Sequence, residues 1–386
     1  MNHCYPIIPE FRPLTAEPYC ANVVQHWGFF SRAEIEQNAG KLMMLDVDFG
    51  RACSLRCPTC FRRRNAVDDD DRHDLDYEQL MKVVEEAVDL GLKTVKICGA
   101  GEPLENPQLL RFARDLTARG VGLAIFTKGH ILGDDALVAR VYGKEGISDA
   151  RSLCAELFKL KTSFLVGFQS ADCKTQDILV GGVNGHALRR NRALELLAEA
   201  GFNKTSPSRL AMCTNPLTKD NYDGVYDIYA FARKRNILPV VAVLMVSGRQ
   251  IDDDFLAQYD VSNREKEELF AGIYEYNLVH GYHTEKMLSE EGISCMPGIH
   301  PCNQIAAGLY MTCNGNVIRC PGDSGTTPLG NVREEGIAEI WARSKDWSFA
   351  GTFNCRCPYK DGITLPTGLY EKTLTKVLGK AQPTMA

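Results

Sequence analysis

Three cysteines, Cys53, Cys57 and Cys60, lie within eight residues and directly follow the apolar run 42–49. Thiolates are the usual ligands of iron–sulfur clusters. Three thiolates can bind three irons of a four-iron cluster and leave the fourth iron open to an exogenous ligand. A closed structural site needs a fourth protein ligand, and none is close in sequence. The spacing therefore predicts a cluster with an open iron, and a zinc knuckle or a chance grouping is the alternative.

This spacing resembles that of the radical S-adenosylmethionine (radical SAM) superfamily. The resemblance implies that SAM chelates the open iron of a [4Fe–4S] cluster and is reductively cleaved to a 5′-deoxyadenosyl radical. The cofactor would supply this chemistry, and the protein would supply placement and exclusion of side reactions. One position departs from the family pattern: Thr59 stands where an aromatic residue often precedes the last cysteine, and we expect Phe61 to serve in its place beside the cofactor.

A Gly-x-Gly-Glu-Pro motif follows the second predicted strand, with Gly99, Gly101, Glu102 and Pro103 in place and Ala100 between the glycines. It resembles the Gly-Gly-Glu-Pro element of the family, which implies that these residues bind the amino group of the SAM methionine. Glycines let the backbone approach a ligand closely, and a carboxylate offsets an ammonium group. The motif therefore supports a SAM site one strand–helix unit after the cysteines.

Other polar residues at predicted strand ends occupy positions where family members contact SAM or substrate, and plain turns are the alternative. The resemblance implies cofactor contacts for Lys128, Gln169, Ser170, Asn215 and Arg249.

Candidates for catalysis also lie near predicted strand ends. Cys98, Cys173 and Cys213 are placed to donate a hydrogen atom to a substrate radical, and we carry forward Cys98 and Cys213. His130 is the histidine placed for acid–base work, with a structural loop histidine as the alternative.

The C-terminal region holds a second group of cysteines. Cys302 and Cys320 are separated by twelve residues, a glycine and four residues, which resembles the SPASM and twitch extensions of radical SAM enzymes. The resemblance implies an auxiliary [4Fe–4S] cluster, bound most simply by these two together with Cys355 and Cys357. The last pair is separated by one residue where two are expected, so Cys313 is an alternative ligand, and zinc is the alternative metal. The remaining cysteines are predicted to be packing or surface thiols: Cys4, Cys20, Cys154 and Cys295.

Strands and helices must alternate to position these motifs. The apolar pattern over 42–279 predicts six strand–helix units, which indicates parallel strands joined by right-handed crossovers. Periodicity does not separate a barrel from a doubly wound sheet. The resemblance favours an α/β fold, a partial (β/α)6 TIM-like barrel with a small C-terminal cysteine-rich twitch/SPASM-like domain. The expected divisions are an N-terminal arm (1–40), the barrel (41–285), the auxiliary cluster module (286–365) and a tail (366–386).

Acidic residues in the first predicted strand also follow a pattern. Asp46 and Asp48 alternate with apolar residues, so both point to one face. They are predicted either to line the barrel interior, where they would meet the substrate, or to form ion pairs or be exposed at the edge of the sheet.

Composition narrows the partners. The formal net charge of −5 gives no general attraction for nucleic acid or an anionic membrane. No apolar run is long enough to cross a bilayer, and the N-terminus lacks the features of a signal peptide. We therefore expect a cytoplasmic protein with reduced thiols, in which clustered cysteines favour metal binding over disulfides.

The resulting hypothesis is an enzyme that cleaves SAM, abstracts hydrogen from a small metabolite or natural-product intermediate, and oxidises or rearranges it with help from the auxiliary cluster. A flavodoxin- or ferredoxin-type protein would supply the electron. The alternative is a maturase that modifies a peptide or protein, although the predicted arm is short for a leader-binding module. A rival of another class is a non-catalytic iron–sulfur carrier or zinc protein, which has no need of a SAM motif.

Overall fold

The computed structural model describes residues 4–12, 30–61, 73–245, 253–299, 302, 304–323, 327–344 and 356–379. Parallel strands form the main sheet in the order in which they occur in the chain, each hydrogen-bonded to the next. This arrangement confirms the predicted α/β partial barrel. The six strands are β1 (Met44–Val47), β2 (Thr94–Ile97), β3 (Gly122–Thr127), β4 (Ser163–Gly167), β5 (Leu210–Thr214) and β6 (Leu238–Val241).

Helices follow the strands, as the apolar periodicity predicts, and the short α6 is an addition to that prediction. The helices up to β6 are α1 (Arg32–Gln37), α2 (Tyr77–Asp89), α3 (Leu109–Ala118), α4 (Asp135–Tyr142), α5 (Ala150–Lys159), α6 (Cys173–Leu179), α7 (His186–Glu199) and α8 (Tyr222–Arg233). Those after β6 are α9 (Asp253–Tyr259), α10 (Asn263–Val279), α11 (Glu285–Glu291), α12 (Gln304–Ala307), α13 (Ile337–Ser344) and α14 (Leu369–Leu378).

Helix α2 illustrates why these segments form where they do. Asp76 accepts a hydrogen bond from the Gln79 backbone at 2.8 Å, and the Gln79 side chain accepts one from the Asp76 backbone, which makes a capping box. Leu80 and Val84 lie one turn apart on the buried face. Gly91, at φ +102°, follows the helix end in a conformation that favours glycine.

The two faces of the barrel strands differ in character. On β1, Leu45 and Val47 pack outward into the main core under the helices, while Asp46 points into the barrel. The inner wall on the β3–β6 side is apolar, and its buried members are Ala124, Leu165, Ala211, Cys213, Leu238 and Val240 with Ile299. The interior is therefore polar near β1 and β2 and apolar opposite them.

The C-terminal module extends the barrel sheet instead of forming a separate layer. Strand β7 (Gly308–Met311) pairs in parallel with β1, and β8 (Asn316–Ile318) and β9 (Gly330–Asn331) continue antiparallel. Strands β7 and β8 form a hairpin with Asn314 and Gly315 in its turn, and Gly315 has φ +88°. Pairing of the hairpin with β1 covers an edge that would otherwise be exposed.

The N-terminal residues that the structure describes lie against the barrel. The Cys4 backbone donates to Ala171 at 2.8 Å, and Cys4 forms a disulfide with Cys173. The expectation that Cys4 is a packing or surface thiol was therefore wrong, because a residue 169 positions away in sequence is its neighbour in the fold. Within the described ranges, no helix has the length and apolar character that crossing a membrane requires.

Candidate active site

The three clustered cysteines lie in the loop that follows β1, at the carboxyl end of the barrel. Cys53 is exposed, and Cys57 and Cys60 are half-buried. The loop is anchored to the rest of the barrel by the Arg56 backbone, which donates to Val180 at 3.0 Å. Phe61, half-buried, follows the last cysteine directly. The loop therefore presents its thiols at the barrel mouth.

The Gly-x-Gly-Glu-Pro loop packs directly against this cysteine loop. The Glu102 backbone donates to Ala52 at 2.8 Å. Gly101 has φ +76°, and a Cβ there would overlap the Gly50 carbonyl oxygen. A Cβ at Gly99 would overlap Asp48. Glycine is thus required at both positions, because other protein atoms occupy the space that a side chain would need. The contact of this loop with SAM stays a prediction.

The Glu102 carboxylate is engaged within the protein. It is buried, and it accepts hydrogen bonds from Thr127 Oγ1 at 2.6 Å and the Lys128 backbone at 2.9 Å. These contacts hold the β2 loop, including Pro103, to the end of β3. The contact of Glu102 with an ammonium group stays a prediction, and positioning the loop is a role that the sequence did not reveal.

His130 is buried beneath the cysteine loop. Its Nε2 lies 3.1 Å from Ser54 Oγ and 3.2 Å from Glu105 Oε1. Burial raises the pKa of Glu105, but hydrogen bonds from His130 and Ser54 outweigh it and lower that pKa to about 2. The position is that of a support for the loop between Cys53 and Cys57, and the acid–base role of His130 stays a prediction.

The predicted polar contacts after β3, β4 and β5 are brought together. Lys128 Nζ donates to Gln169 Oε1 at 3.3 Å, and Gln169 Nε2 donates to the Asn215 carbonyl at 3.4 Å. Buried Arg190 donates to the Ser170 carbonyl at 3.0 Å. These residues therefore form one rim at the carboxyl ends of the strands. Arg249 lies outside the described residues.

A polar wall lines the barrel interior at β1 and β2. Asp46, Lys96 and Gln304 are buried, and the Lys96 ammonium lies 3.0 Å from Asp46 Oδ2 and 2.9 Å from Gln304 Oε1. Cys98 Sγ donates to the same Asp46 oxygen at 3.3 Å. Asp46 Oδ1 is buried with no hydrogen-bond partner among the described residues. Asp46 thus faces the barrel interior and also forms an ion pair, so both alternatives hold for it, and Lys96 and Gln304 are buried polar residues that the sequence did not reveal.

Burial dominates the electrostatics of this wall. It raises the pKa of Asp46, although the Lys96 charge acts in the opposite direction. Burial, followed by the Asp46 charge, also raises the pKa of Cys98 well above its usual value. Burial raises the pKa of Cys213 to about 12 on the apolar wall. Both candidate cysteines are therefore neutral thiols at physiological pH.

The C-terminal thiols form a second group, in which Cys295 is buried and the others are half-buried, and its membership differs from the prediction. Cys302, Cys320 and Cys357 interact electrostatically with one another, and Cys295 joins them through a hydrogen bond to Cys357. That hydrogen bond, opposed by burial, lowers the pKa of Cys357 to about 7. Cys295, expected to be a packing residue, is therefore a member of the group. Its spacing of six residues from Cys302 is the signal that could have revealed it.

Two other predicted ligands have different outcomes. Cys313 is buried near the start of α2, where its carbonyl accepts from the Leu75 backbone at 2.6 Å and its thiol lies near Asp48 and Asp74. It is not brought to the C-terminal thiols. Cys355 lies outside the described residues.

Both thiol groups have donor sets that suit iron–sulfur clusters. No three His, Cys, Asp or Glu side chains in the described ranges stand close enough to enclose a single metal ion. A four-iron cluster is bound by thiolates on separate irons. Three thiols at the mouth beside the glycine loop fit an open cluster, and the four thiols of the C-terminal group, one buried and three half-buried, fit a closed one.

Comparisons with known proteins agree with this geometry. The Radical SAM superfamily matches residues 47–215, and an iron–sulfur cluster-binding SPASM domain matches residues 302–358. A tungsten-containing aldehyde ferredoxin oxidoreductase cofactor-modifying protein of Pyrococcus furiosus is 22% identical over 320 residues, which are 78% of this chain and 81% of that protein. These matches favour the iron–sulfur interpretation over the zinc and carrier alternatives.

Solved structures share the fold. anSMEcpe with bound AdoMet has a TM-score of 0.57 and 12% identity, over 87% of this chain and 96% of that chain. Streptococcus suis SuiB bound to the precursor peptide SuiA has a TM-score of 0.50 and 16% identity, over 80% of this chain and 67% of that chain.

Proposed function

Because this chain belongs to the radical SAM superfamily and carries a C-terminal SPASM domain, we propose that it oxidises or rearranges a small metabolite, or a natural-product or cofactor intermediate, inside the barrel. When bound, SAM and the open [4Fe–4S] cluster supply a 5′-deoxyadenosyl radical that abstracts hydrogen from the substrate. Cys53, Cys57 and Cys60 would hold this cluster. Cys295, Cys302, Cys320 and Cys357 would hold the auxiliary cluster.

The single observation that carries this proposal is the polar wall between the two cysteine groups. Asp48 lies beside Gly99 of the Gly-x-Gly-Glu-Pro loop (residues 99–103). Asp46, Lys96 and Gln304 continue the wall, and the charge of Lys96 acts on Cys302 of the auxiliary group. A substrate on this wall would lie between the SAM site and the auxiliary thiols. This is where a substrate radical could pass an electron onward.

Asp46 is suited to receive a proton in an oxidation. Loss of a hydrogen atom leaves an odd electron on the substrate, and loss of one further electron and one proton completes a two-electron oxidation. Asp46 Oδ1 is buried without a hydrogen-bond partner among the described residues, and burial raises the pKa of its carboxyl group. The electron would pass to the auxiliary site and the proton to Asp46.

A rearrangement would instead return a hydrogen atom to the substrate. Cys98 lies on the polar wall and Cys213 on the apolar wall, so both thiols face the interior. Turnover in deuterated water separates the two outcomes, since a thiol exchanges its hydrogen with solvent. Deuterium at carbon in the product assigns hydrogen return by a thiol, and a product two hydrogen atoms lighter than the substrate assigns oxidation.

The Pyrococcus furiosus relative supports a small substrate, because its name describes modification of a cofactor. The peptide-bound SuiB structure makes a peptide the second candidate. A flavodoxin- or ferredoxin-type donor would supply the electron at the cysteine loop, where Cys53 is exposed.

The test is anaerobic reconstitution with iron and sulfide, reduction with dithionite, addition of SAM and quantification of 5′-deoxyadenosine. Low-molecular-weight and protein fractions of an anaerobic extract are then added separately. Stimulation by the small-molecule fraction supports the proposal, and stimulation by the peptide-containing fraction alone contradicts it. Asp46→Asn should retain SAM cleavage but lower product formation at least tenfold. Equal product formation by this variant removes Asp46 from the mechanism.

A further inference from the structure

Lys360 is a buried lysine in the turn that follows Cys357. Its side chain is only 7% exposed. Its backbone donates to the Cys357 carbonyl at 3.1 Å, and its own carbonyl accepts from Leu365 at 2.9 Å. These hydrogen bonds close a tight turn, which keeps the lysine beside the C-terminal thiols.

The other buried lysines have carboxylate partners. Lys96 lies 3.0 Å from Asp46, and Lys266 lies 2.6 Å from Asp260. Lys360 forms no such ion pair with any described residue. A buried ammonium group is costly unless an anion balances it.

The C-terminal thiols lie around the turn that carries Lys360. Cys357 begins the turn, and a Cβ at Gly322 would lie 3.4 Å from both Cys320 Sγ and Tyr359 Cβ, which places the turn against Cys320. Packing agrees with this, since Cys302 and Cys357 both lie against the apolar cluster that contains Leu365. Thiolates formed at these positions when the cluster binds would balance the charge of Lys360.

We propose that Lys360 is a fixed cation that raises the reduction potential of the auxiliary cluster. Reduction adds one negative charge to the cluster, and a nearby buried cation stabilises the more negative form. The neighbouring Lys96 contributes less, because Asp46 neutralises it. This assignment rests on the four-thiol ligand set and not on the identity of the substrate. A raised potential suits a cluster that accepts an electron from a substrate radical.

The experiment isolates the auxiliary cluster in the full chain by replacing Cys53, Cys57 and Cys60 with alanine. In that background, Lys360→Met and Lys360→Gln remove the charge and Lys360→Arg keeps it. Lys372→Met is the matched control, since Lys372 is exposed and paired with Glu267 at 2.6 Å. The midpoint potential is measured by redox titration followed by visible absorption and electron paramagnetic resonance.

Both neutral variants should make reduction about tenfold less favourable, which is about 59 mV more negative for one electron. Lys360→Arg and Lys372→Met should match the parent. An unchanged potential in Lys360→Met overturns the proposal. If Lys360→Met and Lys360→Gln fail to assemble the cluster while Lys360→Arg assembles it, the cluster requires a positive charge at this position. If all three variants fail, Lys360 is needed for packing, and the proposal is overturned. Absence of any cluster in the parent background overturns the proposal together with the four-thiol ligand set on which it rests.

Discussion

The Tyr310 hydroxyl donates a hydrogen bond to Asp48 directly beside Gly99. The Ala100 backbone donates to the same carboxylate oxygen at 2.6 Å. Tyr310 belongs to the C-terminal hairpin, and Asp48 follows the first barrel strand. The parallel pairing of β7 with β1 therefore places Tyr310, within the part of the chain that matches the SPASM domain, beneath the Gly-x-Gly-Glu-Pro loop.

Gly99→Ala should weaken SAM binding at least tenfold, because a methyl group there overlaps both Asp48 and Tyr310 and displaces the loop. Iron content should stay unchanged, since the cysteines lie in a different loop. The measurement is the change that SAM causes in the electron paramagnetic resonance spectrum of the reduced cluster.

The control for this substitution is Gly224→Ala in α8, where a Cβ has open space. That variant should bind SAM normally and gain about 1 kcal/mol in its free energy of unfolding, owing to helix propensity. Normal SAM binding by Gly99→Ala would show that the loop tolerates a side chain and would contradict the close packing described above.

The sequence predicted the position of the Gly-x-Gly-Glu-Pro loop but not the hydrogen bonds that hold it in place. The motif spacing places Gly99 and Glu102 after a strand, and the strand itself follows from apolar periodicity. The partners of Glu102 are Thr127 and the Lys128 backbone, some 25 residues onward. Such contacts depend on the register between neighbouring strands, which a single sequence does not specify.

Glu102→Gln should weaken SAM binding and lower the free energy of unfolding by about 1–3 kcal/mol, because at least one of its three donors, Thr127 Oγ1 and the Leu104 and Lys128 backbones, would then face an amide NH2. Urea unfolding of the apo chain and the SAM titration above measure both effects. Thr127→Ser is the control, since it keeps the hydroxyl that donates to Glu102. If Glu102→Gln binds SAM as the parent does, the carboxylate is not what holds the loop.

Cys295→Ala should lower the iron content from about eight to about four per chain, because it removes one ligand of the auxiliary cluster. Cys313→Ala should leave about eight irons, since that thiol is buried near Asp48 and Asp74 and away from the group. Iron and acid-labile sulfide assays of the two variants make the comparison. If Cys313→Ala lost about four irons and Cys295→Ala kept about eight, Cys295 would not be a ligand of the auxiliary cluster.

The auxiliary site was predicted in part. The pairing of Cys302 with Cys320 follows from their spacing on either side of one hairpin, which is a local feature. Cys295 precedes the hairpin, and its approach to Cys357 depends on how α14 and the turn before it pack against α10. Long-range packing of this kind has no signature in local periodicity. The sequence alone therefore predicts a packing or surface thiol at Cys295.

His186 provides a test of the packing beneath the cysteine loop. The side chain is fully buried, its ring centroid lies 5.8 Å from that of His130, and neither ring nitrogen has a hydrogen-bond partner among the described residues. Burial, followed by the charges of His130 and Arg190, lowers the pKa of His186 to about 2.

His186→Leu should remove a pH dependence of stability. In the unfolded chain this histidine takes up a proton as the pH falls through about 6.5, whereas in the folded chain it stays neutral down to about 2. The unfolded state therefore binds more protons over this window. As the pH falls below about 6.5, the free energy of unfolding decreases by about 1.4 kcal/mol per pH unit. Urea unfolding of both apo chains at about pH 7 and about pH 5.5 measures the difference, in which the other histidines cancel. Parallel pH curves for the two chains would mean that His186 is protonated in the folded state, and hence that water or a partner reaches its ring.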